Sequence, residues 1–141
     1  MIVFLHSKKG VGEWTKNSFL RWILNKDEVV RFLTLCKFAV RSNFILELTE
    51  KNKKTITFLG YIEDDVIDEI MDLSVKDYCE GPLHDKSGFL GDFWVFGKII
   101  QNSEIYIKLK VKNLNSSGDK QLSTLCISFH FAEKTLSYPF K

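Results

Sequence analysis

The chain has 141 residues, 45% hydrophobic and 27% charged, with a formal net charge of +2. That length suits one domain with a core of its own, and the composition excludes a chain that is disordered throughout. A charge so near zero excludes the uniformly basic character that would mark nucleic-acid binding on its own.

The distribution of charge says more. Between Ile62 and Asp77 seven acidic residues stand against Lys76 alone, whereas from Lys98 to Lys141 seven lysines stand against Glu104, Asp119 and Glu133. A basic C-terminal half can attract phosphates even in a nearly neutral chain. Twelve phenylalanines point to a core built on aromatic packing. Cys36, Cys79 and Cys126 are odd in number and form no CxxC pair. Cys79 with His84 and Cys126 with His130 are isolated pairs, the latter about 13 Å apart along one strand, so neither a zinc site nor a disulfide framework is expected. Lone thiols suit a reducing compartment. The five apolar residues of Met1–Leu5 are too few for a signal sequence, and nothing reaches membrane-spanning length. A cytoplasmic protein away from the membrane, without a metal or other cofactor, is the expectation.

Taken in chain order, Lys8–Gly12 reads as a flexible lead-in, because no GK[ST] follows to make a phosphate loop. Ser18–Leu24 has the pattern of a short helix. Asn25 with Glu28 three residues later is an N-terminal capping signature for a helix over 26–40, with Val29, Phe32, Leu33, Cys36 and Val40 on one face. Residues 1–24 would then be an N-terminal extension and 25–141 the domain proper. Asn43–Leu48 is a strand, Glu50–Lys54 a charged turn, and Thr55–Leu59 fits either a helix or a strand before Gly60. A helix over 63–73 follows, with Ile62, Val66, Ile70 and Leu73 along one stripe and acids in its first turn to complement the dipole. Its acids read as a solvated face. Asp77–Asp85 reads as a loop broken at Gly81-Pro82.

Three strands follow, over 92–100, 104–112 and 125–131, the last two joined by the polar Asn113–Ser123 loop. In the middle strand Ile105, Ile107, Leu109 and Val111 alternate with Tyr106, Lys108, Lys110 and Lys112. In the last, Leu125, Ile127, Phe129 and Phe131 are expected inward and Cys126, Ser128 and His130 outward. Antiparallel partners have a constant sum of residue numbers, so Lys112 opposite Thr124 places Tyr106 opposite His130 and Lys108 opposite Ser128. A three-residue turn at Gln101–Ser103 would set Lys98 beside Tyr106 and Phe96 beside Lys108, adding Trp94 and Phe96 to a wet, basic face. Such a face suits single-stranded RNA, with rings stacking on bases and lysines following phosphates. It also offers the parts for metal-free RNA cleavage: imidazole for proton transfer, ammonium for the phosphorane charge, and phenol for proton donation or stacking.

The segments Asp77-Tyr78-x-x-Gly81-Pro82, Asp92-Phe-Trp-Val-Phe-Gly-Lys98, Tyr106-Ile-Lys-Leu-Lys110, Cys126-Ile-Ser-Phe-His130 and Tyr138-Pro-Phe140, in this order, resemble the MqsR family of toxins from bacterial type II toxin–antitoxin modules. The resemblance covers residues 25–141. It implies an α+β, RelE-like fold with helices packed on one face of an antiparallel sheet. It further implies metal-independent endonucleolytic cleavage of mRNA, possible association with the ribosome, growth arrest, and neutralisation by a cognate antitoxin. Tyr106 matches a family position tied to catalysis. His130 stands where the best-known branch has a lysine, Glu80 stands in place of a catalytic lysine, and Phe93 lies near the position of a catalytic glutamine. The site expected is therefore His130, Tyr106 and Lys108 as catalytic residues, with Lys98, Lys110, Trp94 and Phe96 binding RNA. The alternatives are a non-catalytic RNA- or ribosome-binding module, or a protein-interaction domain, on the same fold.

Overall fold

The computed structural model describes residues 11–86, 91–113 and 121–141, with side chains from Ser18 onward. Residues 8–10 of the expected lead-in and 114–120 of the expected loop lie outside the described residues. The elements run α1 (Val11–Ser42), β1 (Phe44–Leu46), α2 (Glu50–Leu59), α3 (Glu63–Met71), a 3₁₀ turn (Val75–Asp77), β2 (Tyr78–Leu83), β3 (Phe93–Ile100), β4 (Ser103–Asn113) and β5 (Leu122–Phe131). The strands form one sheet in the order β1-β5-β4-β3-β2. It is antiparallel except for the short edge pair β1–β5, which is parallel. The fold is thus α+β, with helices against one face of the sheet. Among the described residues no helix is long and apolar enough to cross a membrane.

Three expectations about the helices change. First, α1 passes through Asn25 without a break, so the capping signature there is interior and the helix crosses the expected 24/25 boundary. An Asn inside a helix costs only a few tenths of a kcal/mol. Side chains offset this: Lys26 lies 4.8 Å from the Trp22 ring, and Trp22 meets Phe140 edge-on at 5.6 Å. Secondly, the charged turn at Glu50–Lys54 is the first half of α2, capped by Thr49 and ended by Gly60 at φ 72°. Thirdly, Ile62 stands at the N-cap of α3 and is 65% exposed, whereas Val66, Ile70 and Leu73 are buried.

The expected core stripe of α1 is buried: Val29, Phe32, Leu33, Cys36 and Val40 pack with Phe96, Ile105, Ile107, Leu109 and Phe129 of the sheet. Phe32 stacks on Trp94 at 5.0 Å and on Phe96 at 6.0 Å. The segment expected as a loop at 77–85 is largely β2; its register with β3 shifts twice, which hides a strand from any search for regular alternation.

α2 does for β5 what a neighbouring strand would do. β1 pairs with β5 only as far as Cys126. Beyond it, the fully buried Asn52 donates to the Ile127 carbonyl (2.9 Å) and the Glu47 carbonyl (2.7 Å) and accepts from the Phe129 N–H (2.9 Å). Thr55 accepts from the Phe131 N–H at 3.1 Å. Buried backbone groups that the sheet leaves unpaired are satisfied in this way by two side chains.

Candidate functional site

The face of the sheet away from the helices carries the expected alternation. Tyr106 lies opposite His130 and Lys108 opposite Ser128, in the register expected from the sequence. Between Lys108 and Leu109 the register with β5 then shifts by one, so that Leu109 faces Cys126 and Lys112 faces Ser123 rather than Thr124. The extra residue on β5 is Ile127. It turns Cys126 inward, where it is fully buried, and corrects its expected outward placement.

The β3–β4 turn corrects the rest of the expected RNA surface. Ile100 pairs with Ser103, leaving a two-residue turn in which Gln101 (φ 50°) and Asn102 (φ 66°) are both left-handed. This is the turn whose twist suits a hairpin, and Asn tolerates the conformation well. One residue fewer in the turn reverses the parity of β3. Trp94, Phe96 and Lys98 pair with Leu109, Ile107 and Ile105 and face the helices. Phe96 is fully buried. Lys98 joins β3 to α3, 2.7 Å from Glu69 and 2.9 Å from Asp72. Two of the helix's acids therefore form ion pairs rather than only a solvated face. Lys110 is on the open face as expected, but it is 1% exposed and ion-paired with buried Asp85. Taking such an ammonium to a phosphate would mean breaking a buried ion pair.

Tyr106, Lys108 and His130 remain together. They line a cleft of about 640 Å³ on the open face, with Ser128, Glu80 and Cys79 across its floor and sides. Gly97, opposite Tyr106, adds no side chain. The tail after β5 forms one wall through Glu133, Lys134 and Leu136. That tail is held by Glu104, which accepts from the Leu136 N–H (3.2 Å) and the Tyr138 hydroxyl (2.8 Å). It finishes with Phe140 stacked on Tyr78 at 5.3 Å. Gly97 makes the crossing possible: a Cβ there would stand 2.5 Å from both Leu136 Cδ1 and the Tyr138 hydroxyl.

The geometry sets what each group can do. The His130 ring lies parallel to the Tyr106 ring, centroids 5.3 Å apart and planes within 16°. Its Nδ1 lies 2.9 Å from the Phe131 carbonyl. A carbonyl only accepts, so Nδ1 carries a hydrogen, leaving Nε2 as the nitrogen that takes or gives a proton. Lys108 Nζ sits 4.6 Å from the Phe93 ring, an apolar support that directs the ammonium without neutralising it. Burial, then the Glu80 carboxylate, raises the Tyr106 phenol above its ordinary value, so it serves as a hydrogen-bond donor. Burial and then Glu104 and Glu80 push the Cys79 thiol up to about 12, which leaves it protonated and a poor nucleophile. Glu133, bonded to Lys51, is held below the usual carboxylate range, which makes it a poor proton acceptor. Glu80, exposed like Glu133, lines the cleft from the β2 side, across the sheet from His130.

Sequence reasoning missed the contribution of the tail, whose Glu133, Lys134 and Leu136 show no periodicity. It also missed the first half of α2, whose buried Asn52 looks like an ordinary turn residue. No protein-family model matches the chain, and neither does any curated protein or any solved structure.

Proposed function

We propose that this protein is a metal-independent endoribonuclease that cleaves mRNA, free or on the ribosome, and acts as the toxin of a type II toxin–antitoxin module in the cytoplasm. Its resemblance to the MqsR family and the chemistry of the cleft support the same reading. The observation that carries it is the grouping of Tyr106, Lys108 and His130 on one open cleft.

In this scheme the 2′-hydroxyl attacks the adjacent phosphate, the P–O5′ bond breaks, and a 2′,3′-cyclic phosphate and a 5′-hydroxyl form. His130, protonated at Nε2, gives its proton to the departing 5′-oxygen. Glu80, on the opposite side, accepts the 2′-hydroxyl proton. Lys108 stabilises the charge of the phosphorane, and Tyr106 donates to a phosphate oxygen or stacks on a base while keeping the imidazole flat against it. The cognate antitoxin would restrain the enzyme by covering or reshaping this cleft.

The test is His130→Ala, expressed alone in a bacterium and assayed on RNA in the presence of a chelator. The wild type should arrest growth and cleave, and the variant should fold normally but lose about 10²–10⁴-fold in cleavage rate. Cleavage that survives in the variant removes His130 from the mechanism, and a divalent-ion requirement rules out the scheme. RNA binding without cleavage by the wild type would mark a non-catalytic RNA-binding module instead.

A further inference from the structure

The side of His130 away from the cleft is also lined. α2 inserts Asn52 and Thr55 into the margin of β5, which leaves Lys51 and Lys54 on the outside, beside the histidine. A groove of about 210 Å³ runs between them, lined by Lys51, Lys54, His130 and Phe131 among others. Lys54 then lines a second, shallower depression of about 520 Å³ with Lys53 and Phe58. His130 thus joins the cleft to the groove, and Lys54 joins the groove to the depression, giving one continuous path across the surface.

The side chains along this path suit one kind of occupant. Lys51 pairs with Glu133 at 2.5 Å and Lys53 with Glu50 at 3.5 Å, both largely exposed, while Lys54 forms no ion pair among the described residues. Phe58 is 67% exposed, yet its ring is fixed edge-on against Phe131 at 5.3 Å. A rigid exposed ring flanked by cations is a platform for a base whose phosphates the cations follow.

We propose that this α2 path binds the single-stranded RNA on the 3′ side of the scissile phosphate, with Lys54 on a phosphate and Phe58 under a base. The proposal rests on the ribonuclease reading above. Its polarity follows from that scheme: the acid that protonates the 5′-oxygen stands on the leaving-group side, and His130, which with Glu133 lines both the cleft and the groove, is that acid. The strand therefore leaves past His130 toward α2, away from Glu80.

Lys54→Glu and Phe58→Ala, both at exposed helix positions, separate this proposal from the ribonuclease reading. Binding of the full chain to a labelled, uncleavable 2′-O-methyl oligoribonucleotide is measured by fluorescence anisotropy over a range of salt. Each variant should bind about tenfold more weakly, and Lys54→Glu should lower the salt slope by about 0.7, as expected for one lost phosphate contact on a single strand. On cleavable RNA both should raise KM and leave kcat unchanged. Trimming the oligonucleotide from its 3′ end should cost the wild type affinity that Lys54→Glu has already lost. Wild-type affinity and salt slope in both variants would overturn the path while leaving RNA cleavage standing, and affinity lost only on trimming from the 5′ end would overturn the polarity. A wild type that binds no RNA at low salt, but binds an acidic protein through Lys54, would overturn both readings.

Discussion

Replacing Asn52 by Ala tests whether a side chain sustains the half of β5 that carries His130. The substitution removes the bonds to Ile127 O, Glu47 O and Phe129 N, each between 2.7 and 2.9 Å. At about 1 kcal/mol net per bond, the three contribute about 3 kcal/mol. Phe129 is fully buried, so its N–H would then lack a partner with no water at hand, adding about 1 kcal/mol or more. The total of about 4 kcal/mol is a large share of the 5–15 kcal/mol typical of a whole domain. Urea unfolding followed by far-UV circular dichroism should show the midpoint falling by about 2 M with an unchanged slope, taking an m-value of about 2 kcal/mol/M. Thr57→Ala, at an exposed position of the same helix, should change stability by less than about 0.5 kcal/mol. A loss below about 1 kcal/mol for Asn52→Ala would refute the idea that this side chain holds the strand.

Gly97→Ala places a methyl group 2.5 Å from Leu136 Cδ1 and the Tyr138 hydroxyl, so the tail must lift from the sheet. Limited proteolysis should then cut within 132–141 faster than in the wild type, with RNA cleavage reduced and the core intact; unchanged proteolysis would show that the tail adjusts in place. The Lys98 ion pairs set a dependence on pH. A hydrogen bond from Lys98 and then its charge hold the Asp72 carboxyl below its ordinary 3.8, so its contribution is present above that value and is lost as pH falls through the folded pKa. Burial pulls the Lys98 ammonium down, but hydrogen bonds to Glu69 and Asp72 outweigh it and leave the group above its ordinary 10.5, so its contribution is lost as pH rises beyond that value. Melting temperature against pH should be flatter at both extremes in Lys98→Met than in the wild type, and parallel curves would count against the pairs.

The alternation of β4 and β5 made the centre of the site legible, because burying both apolar faces forces Tyr106, Lys108 and His130 to one side whatever the loop between the strands does. The same reasoning failed for Trp94, Phe96 and Lys98. β3 is apolar on both faces, so its parity rested on the length of one turn, and a turn of two residues instead of three sent all three side chains to the helices. The first half of α2 was hidden for a different reason. Its sequence Glu50–Lys54 has no apolar stripe, since this end of the helix docks through the hydrogen bonds that Asn52 and Thr55 exchange with the β5 backbone rather than through hydrophobic burial. The shift at Ile127 left no mark in composition, yet it decides which way Cys126 points.

The insertion of Asn52 and Thr55 into β5 also bears on how this chain avoids sticking to copies of itself. A sheet with a straight, unpaired border invites another strand to dock and seed aggregation. Here the part of β5 that outruns the three-residue β1 is already occupied by side chains that no incoming strand can readily displace. The opposite border, β2, has two register shifts and a proline with no N–H to offer. A chain rich in phenylalanine therefore keeps its sheet from growing sideways, and Asn52→Ala, by reopening the border of β5, should be the variant most prone to form fibrils.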